Sequence, residues 1–236
     1  MAFQIILTSK KTQILREYQP EIKLNSPYEL GLKSFTTYNN IPNISKKMNN
    51  NLFVMVHGDE EKKIYLDDGT YNLKHIVDHL LQATKDDPIF DLEIIYNPNT
   101  MKISLFSSNS SIDFSEANGK LCQLLGFKQR IIRPKQRAYS DEPITIFPVN
   151  IISIKCNLIK CNIENKNRHD NTLHDFPLDC MPGEKIVERP SSISYFPINT
   201  DEIHQLLIRV VDENNKLIDF RGENICITLA FRPISI

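Results

Sequence analysis

In the stretch NICITLAFR, Asn224 to Arg232, apolar Ile225, Ile227, Leu229 and Phe231 alternate with the mixed set Cys226, Thr228, Ala230 and Arg232. A two-residue period of this kind predicts a strand with one buried face. From Ser140 onward helical periodicity disappears. Short strand-like runs recur in ITIFPVNIISIKCNLI, TLHDF, EKIVERP, SISYFPI, LLIRVVD and KLIDF, each punctuated by Pro, Gly or Asn. LLIRVVD and KLIDF predict a hairpin across Glu213 to Asn215. The closing strand follows a sharp return at Arg221 and Gly222 and is expected to pair beside them.

The first half mixes periods. YELGLKSFTTY (Tyr28 to Tyr38) and LFVMVH (Leu52 to His57) read as strands, and the intervening YNNIPNISKKMNNN reads as a loop. DLEIIYNPNTMKISLFS is the clearest hairpin, with strands at Leu92 to Tyr96 and Met101 to Phe106 around Asn-Pro-Asn-Thr. Within TYNLKHIVDHLL, Asn72 suits an N-cap, and Leu73, Ile76, Val77, Leu80 and Leu81 form one apolar helical stripe. A short second helix is predicted from Gly119 to Leu125, stopped by Gly126.

Short antiparallel strands with no βαβ rhythm predict a mainly β chain built as a single jelly-roll β-sandwich. A small helix-bearing α+β elaboration is expected in the N-terminal half. The expected division is 1–57 (N-terminal arm and first sandwich strands), 58–138 (strand, helix, hairpin, helix and basic connector) and 139–236 (the remaining sandwich strands).

Composition narrows the function classes. The 236 residues carry a formal net charge of -1, which gives no global attraction to phosphate backbones or anionic membranes. No window reaches the roughly 18 apolar residues of a membrane span, and MAFQIILTSKK lacks a cleavage pattern. The reading is a soluble, unexported protein with no membrane and no specific nucleic-acid partner. The five cysteines, an odd set without a CxxC pair, read as reduced core residues. Cys156 and Cys161 stand five apart and would point to opposite faces of a strand, which disfavours a zinc site. The abundance of Ile, Asn and Lys, all with AT-rich codons, reads as background.

Candidate chemistry is sparse. His75 and His79 share one face of the predicted helix, opposite its apolar stripe, and Ile76 stands where a zincin needs its general base Glu. They read as exposed histidines. A cupin-like metalloenzyme would draw on His169 and His174, whose odd spacing divides them between faces, and no His-x-His pair exists. No Gly-x-Ser-x-Gly elbow occurs, and seven glycines leave little of the tight backbone that cradles phosphate. No catalytic residue, metal or cofactor is expected. The remaining candidate is KQRIIRPKQR, where Lys128, Arg130, Arg133, Lys135 and Arg137 occur without an acid. It reads as a solvated connector or as a contact for a phosphate or acidic partner, with only Tyr139 nearby for base stacking.

The ordered set SFTTYNNIPNI, DDGTYNLKHIVDHL, IIYNPNTMKISL, KLCQLLGF, PVNIISIKCNL, MPGEKIVERPSSISYFPI and VVDENNKLIDFRGENICITLAF resembles the minor capsid (penton) protein of Polinton/Maverick elements, virus-like self-synthesising DNA transposons. The resemblance spans Tyr28 to Pro233. It implies a single jelly roll that forms homopentamers at the fivefold vertices of an icosahedral capsid, beside a double jelly-roll major capsid protein. It implies localisation to the virion, with a soluble stage in host cytoplasm or nucleus, and no catalytic residues. From the residues alone, a jelly-roll module that binds carbohydrate or a protein partner remains open, as does the cupin-like enzyme.

Overall fold

Alternation along the closing strand decides what it buries. In the computed structural model, which describes residues 1–146, 149–159 and 171–234, Ile225, Ile227 and Leu229 are 0 % exposed and Phe231 is 1 % exposed. Cys226 and Thr228, on the other face, are half-buried.

The chain divides into two units, residues 1–41 with 149–236, and residues 42–148. The first 41 residues supply β1 (Phe3–Ser9), β2 (Gln13–Lys23) and β3 (Tyr28–Tyr38). The second unit carries β4 (Leu52–His57), β5 (Glu60–Tyr65), α1 (Leu73–Thr84), β6 (Glu93–Asn97), β7 (Lys102–Phe106), β8 (Ser111–Asp113), α2 (Leu121–Leu124), β9 (Ile131–Ile132) and β10 (Ala138–Tyr139). The chain then returns to the first unit with β11 (Ile151–Cys156), β12 (Thr172–Pro177), β13 (Lys185–Glu188), β14 (Phe196–Pro197), β15 (Glu202–Val211) and β16 (Ile225–Pro233).

The first unit is a sandwich of two antiparallel sheets. One runs β1-β16-β3-β13, with short β14 also on β3, and the other runs β12-β11-β15-β2. With β14 set aside, these orders are first-eighth-third-sixth and fifth-fourth-seventh-second along the sandwich strands. That is the double Greek key of a jelly roll. Its core joins Leu30, Leu32 and Phe35 of β3 to Ile152 and Ile154 of β11, Leu206 and Ile208 of β15, and the inward face of β16. The second unit is thus inserted between the third and fourth sandwich strands.

Three expectations change. Leu52–His57 is not a sandwich strand: β4 pairs with β5 and β8, and Phe53 and Met55 belong to the insertion's own core. The sandwich is interrupted at residues 41 and 149, and not at the expected 57 and 138. The N-terminal arm is β1 and β2, each at a sheet edge, and β2 buries only Ile14 of its eleven residues. An edge strand with so little inward surface leaves a weak apolar period.

The third change concerns the C-terminal hairpin. Leu217 makes only a single bridge to Val211, and the Ile218 amide donates to the Val210 carbonyl at 3.2 Å. Ile218 and Phe220 then turn into the core. Arg221 and Gly222 take left-handed φ values of 55° and 79°, and β16 enters the sheet opposite to β15. The expected turn across Glu213 to Asn215 is present, closed by the Asp212 amide donating to the Lys216 carbonyl at 2.9 Å, but pairing with β15 ends at Ile218. The last two jelly-roll strands belong to different sheets, so the chain crosses over through the core from there.

The insertion matches its local signals. The Asn72 side chain accepts from the His75 amide at 2.8 Å, and Ile76, Leu80 and Thr84 are the buried positions of α1. Gly126 ends the short helix with φ 79°. A Cβ there would lie 2.2 Å from the Glu142 carbonyl oxygen, so the position requires glycine. β6 and β7 form the expected hairpin, and Asn97 Oδ1 accepts from the Asn99 amide at 3.0 Å inside its turn. Pro98 is exposed. Pro98→Gly is therefore expected to lower stability by under about 1 kcal/mol, the unfolded-state entropy effect alone. Denaturant titration checks this, and a loss above about 3 kcal/mol would mean that Pro98 packs in a core or interface.

Candidate interaction surface

The basic run from Lys128 to Arg137 lies in the insertion, and the structure sorts its five charges. Asp141, four residues past the run, accepts the Lys128 amide at 2.9 Å and the Arg130 guanidinium at 2.9 Å. These contacts, the Lys128 amide foremost, hold the Asp141 carboxyl below its ordinary range. Arg130 also donates to the Tyr139 carbonyl and lies over the Phe127 ring at 5.3 Å. Arg137 pairs with Glu93 at 2.6 Å and lies over the Phe106 ring at 5.1 Å. Both arginines are half-buried. Arg130 ties the segment before β9 to β10 and Asp141, and Arg137 ties the segment before β10 to β6, which leaves little of their charge for a partner.

Lys128, Arg133 and Lys135 are exposed. Arg133 to Gln136 form a turn, with the Gln136 amide donating to the Arg133 carbonyl at 3.3 Å and Lys135 at φ 61°. Pro134 second and a left-handed third residue are the pattern of a type II turn. The Lys135 amide is anchored to the Ser107 carbonyl at 2.8 Å. Beside Lys128 a hollow of about 380 Å³ is lined by Gln123, Gly126, Phe127, Lys128, Gln129 and Glu142. Its ionisable lining is Lys128 and Glu142.

The histidines make structural contacts. His75 and His79 are exposed, as their position opposite the stripe requires, and His79 Nε2 lies 3.0 Å from the Tyr65 carbonyl. His174 Nε2 meets Glu188 Oε1 at 2.9 Å, and its ring stacks on Phe176 at 6.0 Å between centroids. That contact joins β12 to β13, strands of opposite sheets. His169 and Cys161 lie outside the described residues. Among the described residues no three His, Cys, Asp or Glu side chains are grouped to hold a metal.

The four described cysteines are free, and Cys122 and Cys156 are buried. Burial pushes the Cys156 thiol up to about 12, so it stays protonated and unreactive. No described helix is long and apolar enough to cross a membrane.

Sequence reading missed how the Asn-rich loop works. Asn43 is 2 % exposed. Its amide donates to the carbonyls of Tyr71 at 2.6 Å and Ile146 at 2.9 Å, and its oxygen accepts the Tyr71 amide at 2.8 Å. Asn50 accepts the Ser45 amide and donates to the Asn43 carbonyl. These side chains replace the missing backbone ladder of a loop. A buried Asn looks the same in sequence as an exposed one.

No protein-family model matches the chain, and no curated protein is detectably similar to it. Among solved structures, the crystal structure of the mavirus penton protein superposes with a TM-score of 0.53 at 11 % identity, covering 99 % of this chain and 100 % of that one. A chain of the Sputnik virophage structure aligns with a TM-score of 0.47 at 14 % identity, over 98 % of this chain and 97 % of that one. The first correspondence takes in the sandwich and the insertion alike. This chain therefore shares its mainly β, jelly-roll fold from end to end with the mavirus penton protein.

Proposed function

We propose that this protein is a structural capsid subunit, the penton of a virus-like particle of the virophage and Polinton/Maverick kind. In this reading it closes into homopentamers at fivefold vertices, beside a double jelly-roll major capsid protein, and resides in the virion. The single observation that supports the reading most is the end-to-end correspondence with the mavirus penton protein, insertion included. A bare jelly roll serves many functions. A jelly roll interrupted between its third and fourth strands by a unit of over a hundred residues is a much narrower description. A pentamer needs heterologous, ring-closing contacts, so each copy must offer two different surfaces.

Light scattering and mass photometry of the full chain test the reading. The expected result is a species near five times the 27.3 kDa chain, seen as fivefold rings by negative stain. A chain that stays monomeric at every concentration, alone and mixed with the major capsid protein of its particle, would overturn it.

A further inference from the structure

The insertion's four-stranded sheet, in the order β5-β4-β8-β9, carries opposite charge at its two edges. β4 and β5 are joined by a tight turn in which His57 faces Glu60 and Gly58 takes the left-handed φ of 58°. Asp59 and Glu60 are exposed there. Adjacent charges are already paired: Glu61 with Lys63 at 2.9 Å and Lys62 with Asp87 at 2.7 Å. Asp59 and Glu60 have no ionic partner among the described residues, and the same holds for Arg133 and Lys135 at the opposite edge, just past β9.

Both turns lie at one end of the sheet. β8 is antiparallel to each neighbour, with Ser111 opposite Val56 of β4 and Ile112 opposite Ile132 of β9. The C-terminal ends of β4 and β9 therefore flank the start of β8. The loop before β8 holds both: the Ser107 carbonyl accepts the Lys135 amide at 2.8 Å, and the Asn109 carbonyl meets His57 Nδ1 at 2.8 Å. β4 and β9 are two strand spacings apart, about 10 Å. Opposite charges on the two edges of one sheet end suit a head-to-tail contact between identical subunits around a rotation axis.

We infer that the Asp59–Glu60 turn of each copy docks on the Arg133–Lys135 turn of the next. The partner of both edges is a second copy of this chain. The inference rests on the pentamer reading and adds which surfaces meet. Lys135 occupies a left-handed position that glycine or asparagine fills at lower cost. A side chain held there against its backbone preference keeps its charge at the tip of the turn.

Four full-length variants test the contact by dilution in mass photometry. Asp59→Lys with Glu60→Lys, and Arg133→Glu with Lys135→Glu, each set like charge against like. Each is expected to raise the concentration at which rings dissociate by about tenfold or more at low salt, and by less near 0.5 M salt. The quadruple variant, with both edges reversed, is expected to return to within about threefold of wild type. Lys135→Gly relieves the backbone, so at a dilution where neither protein forms rings it should melt no lower than wild type. At higher concentration it should nevertheless form weaker rings, a split that a purely structural role would not give. A wild-type pentamer that neither double variant perturbs overturns the contact and leaves the pentamer standing. The contact is likewise overturned if the basic-edge variant loses only binding to DNA, or if the quadruple variant is no better than the doubles. A wild type that never forms rings overturns both readings.

Discussion

Replacing Asn43 by Ala is expected to cost about 3 kcal/mol or more, although the residue lies in a loop and contributes almost no apolar area. The reason is the number of backbone groups that one buried amide serves. Asn43 takes the Tyr71 amide and gives to the Tyr71 and Ile146 carbonyls, so a single side chain ties three separate parts of the insertion together. Alanine withdraws all three contacts at once and supplies no replacement, and desolvated peptide groups that lose a partner cost about 1 to 3 kcal/mol each. Asn43→Asp keeps the acceptor toward Tyr71 but sets a carboxylate against two carbonyl oxygens, so it should be no better at neutral pH. Exposed Asn99 in the hairpin turn provides the control, expected to change by under about 0.5 kcal/mol when replaced by Ala. Urea denaturation of the three variants checks the order. An Asn43→Ala protein as stable as the Asn99→Ala control would show that water takes over these contacts.

That loop marks where sequence reading stops being informative. Strands with a strong inward face were legible: β16 buries the four side chains its alternation selects, and α1 buries Ile76 and Leu80 from the expected stripe. Turn chemistry was legible where one residue type is required, as at Gly126 and in the Asn97 turn. What could not be read is which strands share a sheet. β15 and β16 are consecutive in the chain and belong to opposite sheets, since Ile218 and Phe220 carry the chain through the core between them. LFVMVH has the composition of a sandwich strand and fills a second core, because an apolar run specifies burial without specifying the partner.

The candidate surface was legible in part for the same reason. Composition located the basic run, but the counter-charges that take up Arg130 and Arg137 lie at Asp141 and Glu93, one just past the run and the other far upstream in the chain. Among the described residues, three-dimensional pairing leaves Lys128, Arg133 and Lys135 as the charges of the run without an ion pair, and of these only Lys128 lies close to an acid, Asp141, which takes its backbone amide. The acidic turn at Asp59 and Glu60 attracts no notice in a sequence where acids and bases nearly balance.

The largest loss of stability is expected from Phe35→Ala, at about 3 to 5 kcal/mol. Phe35 is 0 % exposed in the middle of β3. Its ring lies 5.4 Å from Phe176, on the opposite sheet, and 6.3 Å from Phe220, in the crossover that leads to β16. One side chain therefore fills the space where both sheets and the crossover converge, and its removal opens a cavity that no single neighbour can close. Phe35→Leu restores most of the volume and should cost about 1.5 kcal/mol or less. Val187, half exposed at the edge strand β13, should tolerate Ala within about 0.5 kcal/mol. If the protein forms rings, association opposes unfolding by mass action, so the three variants should be compared at equal and low concentration. Hydrogen exchange then locates the damage: protection should fall first in β3, β12 and β16. A Phe35→Ala loss no larger than that of Phe35→Leu would mean that the two sheets close over the gap, and that Phe35 is not the residue on which the sandwich converges.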